Sequence, residues 1–343
     1  MLVNDVDVAS LRRLAGLRPK GARVLSLYLD LEPTEFATAP ARETELTSAL
    51  DAAARMADES DLEHDARVAV REDIERVRDA LSGDGLDAKG ARAVAVFACG
   101  PADLFEVVKL PQPVATHVTI DDSPWIEPML RAGAEPRVAV ALIDRHNLRI
   151  LHGTAESLEE LKPDTREPAR HRTATDEEAN THFIHAGEAL LRLLKRRGFD
   201  VLVLGARPAE RSAILEHLHP YVRDRLGGEI DVDVSSASVD DIGREAGAVV
   251  ATLHERKVTE ALARLREGLG RGSRAAGGLD DVQRALDERR VEILLYERGR
   301  AEEKAIEDAA EAAVLQDAEV LALDAAEHPD LGPHGGIGAV LRF

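Results

Sequence analysis

Short apolar runs, spaced along the whole chain, constrain its fold more than any other feature. Five stand out: RVLSLYLDL at 23–31, ARAVAVFACG at 91–100, PRVAVALIDRHNLRILHG at 136–153, FDVLVLGA at 199–206 and VEILLYE at 291–297. Their length and their Val, Ile and Leu content read as strands. In the first, Val24, Ser26 and Tyr28 alternate with Leu25, Leu27 and Leu29. The fourth has no polar face, which suits a parallel strand covered on both sides. The third holds two apolar runs around Arg145, His146 and Asn147, a hairpin signal. Shorter runs at 104–110, 115–120, 155–161, 228–235 and 320–323, and the terminal GIGAVLRF, read as further strands. Between them lie alanine-rich charged stretches with helical spacing. Two helices are expected over 42–81, broken near Glu59 and Ser60, with Val70, Ile74, Val77 and Leu81 on one face of the second. Others are expected at 175–197, 209–218, 239–269, 279–288 and 301–317.

Strands alternating with helices predict a mixed α/β protein. A length of 343 residues suits two or three domains. The pattern changes at Gly133, and GLGRGSRAAGG at 268–278 reads as a flexible Gly-rich break. The expected division is an N-terminal α/β domain (1–133), a middle domain (134–240) and a C-terminal α/β domain that includes a long connecting helix (241–343).

Composition excludes several classes of function. No run of about 18 apolar residues exists, so no membrane span is expected. The start, MLVNDVDVASLRRL, has no basic region before an apolar stretch, so no secretory signal is expected. Cys99 is the single cysteine, which rules out an intrachain disulfide and a cysteine-based zinc cluster. Together these readings place the protein in the cytoplasm. Aromatics make up 3% of the chain, so Ala, Val, Leu and Ile must build the cores. The net charge of −20 disfavours nucleic-acid binding through the whole surface; an RNA contact would need a local basic patch.

One such patch exists. Residues 163–174 carry no apolar side chain larger than alanine or proline, and Arg166, Arg170, His171 and Arg172 cluster in or beside them. Thr175 followed by Glu178 is a capping-box signal for the helix that comes next, and Gly198 is its stop signal. Along that helix Glu178, His182 and His185 share a face, a spacing a zinc site could use. HExxH is absent, however, and the face continues through Arg192 and Arg196, which suits an anion better than a metal. The loop is either a solvated connection or a contact to a nucleic-acid backbone, since guanidinium forks match phosphates. Other candidates read as structural. His217 and His219 suit a helix C-terminus, and Cys99 reads as a buried thiol. Gly268, Gly270 and Gly272 lack the P-loop pattern. No G-x-S-x-G elbow is present. No metal or cofactor is expected.

The order of these parts resembles the archaeal and eukaryotic class-one release factor and Pelota superfamily, specifically its bacterial, Balon-like ribosome-associated branches. Four phrases carry the resemblance: VLSLYLDL; the unit from VALIDRHNLRILHG through loop and helix to FDVLVLGA; VEILLYERG; and GGIGAVLRF. It implies three mixed α/β domains, the middle one ribonuclease-H-like in fold and the last similar to a kink-turn-binding ribosomal protein. In release factors of this superfamily the corresponding loop carries Gly-Gly-Gln, whose Gln positions water at the ester of peptidyl-tRNA. Here the loop holds neither Gly nor Gln, and the Gly pairs at 227–228, 277–278 and 335–336 are not followed by Gln. The resemblance therefore implies a factor that binds the ribosomal A site in hibernation or rescue without peptidyl-tRNA hydrolysis. Its RNA-binding residues would be Arg166, Arg170, His171, Arg172, His182, His185, Arg192 and Arg196. The implied partners are ribosomal RNA, tRNA and a translational GTPase such as elongation factor Tu. The alternative is a peptidyl-tRNA hydrolase without Gln, for which His171 is the acid–base candidate.

Overall fold

The computed structural model describes residues 3–5, 8–32, 38–82, 91–110, 112–133, 136–155, 157–161, 175–300 and 303–343. It is a mixed α/β protein with three separate sheets. Contacts divide the chain into two compact units, one made of Met1–Ala134 with Thr259–Phe343 and the other of Glu135–Val258.

In the first unit one sheet has the order β1-β4-β3-β2-β5. Its strands are β1 (Val3–Asp5), β2 (Val24–Asp30), β3 (Ala93–Cys99), β4 (Leu104–Leu110) and β5 (His117–Asp121). β2 and β3 sit at the centre and are buried on both faces, which is why their sequences have no polar side. The alternation in β2 serves two cores. Leu25, Leu27 and Leu29 face the helices α2 (Ala39–Glu59) and α3 (His64–Leu81) through Leu50, Ile74 and Val77. Val24 and Tyr28 face a second core that also holds Leu14 of α1 (Val8–Ala15) and Met129 of α4 (Glu127–Gly133).

That second core is completed by the C-terminal segment, through Val282, Leu294, Tyr296, Ile306 and Ala309. The C-terminal sheet has the order β11-β14-β12-β13. Its strands are β11 (Ala275–Gly277), β12 (Val291–Glu297), β13 (Glu319–Leu323) and β14 (Ile337–Leu341), numbered to follow the five strands of the middle unit. Helices α9 (Leu279–Asp287) and α10 (Lys304–Leu315) pack on it. Polar bonds tie the two segments as well. The buried hydroxyl of Tyr296 donates to Glu127 at 2.9 Å, and Lys304 Nζ reaches Asp121 at 3.0 Å. Arg12, Arg13 and Arg18 pair with Asp317, Glu106 and Glu311 respectively.

The middle unit is a five-stranded sheet in the order β10-β9-β6-β7-β8. β6 (Val138–Ile143), β7 (Leu148–Thr154) and β8 (Ser157–Leu161) form an antiparallel meander, and β9 (Val201–Gly205) and β10 (Leu226–Ile230) then add in parallel to β6. This strand order is the ribonuclease-H-like topology. One face carries α5 (Asp176–Arg196), α6 (Pro208–His217) and α7 (Pro220–Arg223); the other carries the start of α8 (Val239–Arg271), through Ile242 and Ala246. Both faces of β6 are therefore covered.

Two sequence expectations fail in detail. The Gly-rich break is not a linker: α8 runs to Arg271, a turn with Gly272 at φ +66° follows, and Ala275–Gly277 then pairs antiparallel with Val340–Gly338. The expected strand at 228–235 starts earlier, at Leu226, and stops at Ile230. It stops because Asp233 folds its carboxylate back on the chain, accepting from the backbone N–H and hydroxyl of both Ser235 and Ser236 at 2.7–3.0 Å. Those bonds hold the Asp233 carboxyl down at about 2. Such a side-chain turn competes with the ladder.

Candidate nucleic-acid interface

The basic loop and the helix after it lie in the middle unit. α5 begins where a reciprocal cap fixes it. Thr175 Oγ1 accepts from the Glu178 backbone N–H at 3.3 Å, and the Glu178 carboxylate accepts from the Thr175 N–H at 2.8 Å. The helix buries Ala179, Phe183, Ala186, Gly187, Leu190 and Leu193 against the sheet and its neighbours. Gly187 is demanded by close approach: a Cβ there would meet the carbonyl oxygen of His217 at 2.4 Å. A side chain at 187 would push α5 off the end of α6.

A second tie anchors the same end of α5. Asp144 closes the β6–β7 turn by accepting from the N–H groups of His146 and Asn147, both at 2.7 Å. That turn presents Arg145, whose guanidinium reaches Asp176 at 2.9 Å and Glu210 of α6 at 3.4 Å. One arginine thus joins the hairpin tip, the first residue of α5 and α6, at the point where the 162–174 segment ends.

Of the residues singled out in the sequence, Arg166, Arg170, His171 and Arg172 lie outside the described residues. The other four lie on one stripe of α5. His185, Arg192 and Arg196 are exposed; His182 is half-buried, with Nε2 shielded from solvent and its ring 6.3 Å from that of Phe183. Arg192 has an acidic neighbour one turn back, Glu188 at 3.7 Å. Glu178 is committed to the cap, and among the described residues no group of three or more His, Cys, Asp or Glu is placed to hold a metal ion. No described helix is long and apolar enough to cross a membrane. Cys99 is fully buried and burial pushes its thiol up. His219 does not serve a helix C-terminus: its Nδ1 accepts from the Tyr221 N–H at 3.3 Å and caps the start of α7. His217 Nε2 meets Asn180 Oδ1 at 2.6 Å.

Charge is unevenly shared. The middle unit holds 18 of the 44 basic residues and 22 of the 64 acidic ones, a net of −4 within a chain of −20. The objection from overall acidity therefore falls mainly on the other unit.

Residues 124–255 match the model of bacterial archaeo-eukaryotic release factor family 10. The middle of this chain is similar to that family. Matches among solved structures include archaeal translation termination factor aRF1, at 17% identity over 99% of each chain with a TM-score of 0.28. A model of ribosome-bound archaeal Pelota and ABCE1 matches at 14% identity, covering 99% of this chain and 95% of that one, with a TM-score of 0.47. Saccharomyces cerevisiae Dom34, described as a translation termination-like factor interacting with Hbs1, matches at 12% identity over 73% and 79%, with a TM-score of 0.47. No curated protein sequence matches. The release-factor-like segment spans the whole ribonuclease-H-like sheet and α5, so loop and helix lie inside the matched region. Sequence reasoning missed Arg145 and Gly187 in this segment. Arg145 was visible only as a turn residue, and Gly187 gives no signal within a helical pattern.

Proposed function

We propose that the protein is a ribosome-associated translation factor that binds RNA through its release-factor-like segment. The family match of residues 124–255 carries this reading. Arg166, Arg170, His171 and Arg172 contact RNA phosphates, and His182, His185, Arg192 and Arg196 extend the contact along α5. The factor occupies the ribosomal A site in hibernation or rescue, with a translational GTPase as its partner. It does not hydrolyse peptidyl-tRNA, because 162–174 offers no amide side chain to position water.

The smaller negative charge of the middle unit supports the choice of segment. A basic loop on the less acidic unit would orient the molecule, loop first, toward a polyanion. Ribosome affinity measured at several salt concentrations tests it. Each phosphate neutralised steepens the log–log slope by roughly 0.7–0.9. Replacing Arg166, Arg170 and Arg172 together by Ala should flatten the slope by about two to three. An unchanged slope would return the loop to a solvated connection. Rapid peptide release from ribosome complexes, lost in His171→Ala, would favour the hydrolase instead.

A further inference from the structure

Tyr221 stands apart from the other aromatic residues. Tyr28 and Tyr296 are fully buried, whereas Tyr221 is 64% exposed. The other large exposed aromatic among the described residues, Phe343, has the Arg290 guanidinium over its ring. The exposure of Tyr221 is not that of a loose loop. Its neighbours Leu218 and Val222 are buried in the core beneath α5 and α6. Its N–H is held by His219 and its carbonyl accepts from Arg225 at 2.6 Å. The His219 ring stands 5.0 Å from the Tyr221 ring at 52°. The backbone is fixed and the ring is left in water.

Two cations lie close to it in the chain. Residues 217–225, HLHPYVRDR, set Arg223 and Arg225 within four positions of the tyrosine against one aspartate, in a strongly acidic chain. Arg223 uses part of its fork on the carbonyl of Leu215 at 2.7 Å, which places it on the same turn. A rigid exposed aromatic flanked by cations is what an unpaired base needs: a face to stack on and positive charge for its phosphates.

We propose that Tyr221, backed by His219, is a stacking platform for an unpaired RNA base. It is a second RNA contact of the middle unit, beyond the basic loop and the α5 stripe. The platform rests on the ribosome-associated reading only for the source of the RNA. Stacking tolerates any base, so the ligand class is single-stranded RNA without a required sequence.

The test uses the full chain and 5′-fluorescein-labelled A12 and U12 RNA, followed by anisotropy across a salt series. Tyr221→Ala should weaken binding about tenfold, and at least about fivefold, at every salt concentration. Its salt slope should match wild type, because stacking releases no counterions. Tyr221→Trp should bind as tightly as wild type or more so. Both variants should melt with wild type, since the side chain is outside the core. The platform is overturned if wild type binds neither RNA, if Tyr221→Ala binds within about twofold of wild type, or if Tyr221→Trp loses as much as the alanine variant. Ribosome pelleting in parallel separates the two readings. Oligonucleotide binding that needs Tyr221, without pelleting, leaves the platform standing and removes the ribosomal role. Pelleting by wild type and Tyr221→Ala alike, without oligonucleotide binding, does the reverse.

Discussion

Glu311 should make the stability of the first unit fall as pH rises. It lies on α10 with 1% of its surface exposed, facing Arg18, while Glu307 and Lys304 precede it on the same helix. Burial disfavours its charge more than the Arg18 guanidinium favours it, and the carboxyl is pushed up from 4.5 to about 7. A group whose folded value lies above its unfolded one binds its proton more tightly in the native state. Its contribution is therefore complete below about pH 4.5, declines through the window to about pH 7, and is gone above it. At about 1.36 kcal/mol per pH unit the displacement is worth about 3 kcal/mol. Spread over the melting entropy of a unit of this size, that is roughly 6 °C. Glu307 shifts in the same direction for the same first cause, burial, so the comparison that isolates Glu311 is with Glu311→Gln. The amide keeps the shape of the protonated acid, and half-exposed Arg18 can turn to water. Trp125, the single tryptophan, stacks edge-on against Tyr28 in this unit, so its fluorescence reports the unit's unfolding. Urea titrations at steps from pH 5 to 8.5 should show wild type losing stability up to about pH 7 while Glu311→Gln changes much less. The variant should exceed wild type by about 2–3 kcal/mol at pH 8. A wild-type-to-variant difference that stays constant over this range would show that Glu311 is an ordinary ionised partner of Arg18.

Other outcomes follow from the middle unit. Gly187→Ala should cost about 1–3 kcal/mol, because its Cβ would sit 2.4 Å from a backbone oxygen that cannot rotate away; a denaturation midpoint equal to wild type would show that the two helices separate freely. Thr175→Ala should cost about 1 kcal/mol and speed amide exchange of Glu178, whose N–H loses its acceptor. Unchanged exchange there would mean that the cap does not hold the helix start.

What the sequence disclosed were the features with local causes. The capping box at Thr175 and Glu178 is written four residues long, and the structure forms it bond for bond. The turn at Arg145–Asn147 and the two-sided burial of β6 and β9 also follow from neighbouring residues. The misreadings share the opposite cause. Ala275–Gly277 is a strand only because β14, more than sixty residues later, supplies its partner. Read alone, three small residues beside glycines look like a linker. DVDVS alternates like a strand, but Asp233 finds closer donors in Ser235 and Ser236 than a neighbouring strand could offer. The bond from Tyr296 to Glu127 spans 169 positions, and nothing near either residue announces it. The candidate site divides along the same line. Its charges are legible because a cluster of arginines on an acidic chain is a property of the string itself. Its scaffold is not, because Arg145 and Gly187 act on Glu210 and His217, which only the packed fold brings within reach. A surface that must meet a partner can thus be guessed from composition, while the residues that hold it in place emerge only with the tertiary contacts. That difference makes scaffold substitutions such as Gly187→Ala useful. They disturb the packing of α5 against the end of α6 without changing any charge of the candidate site.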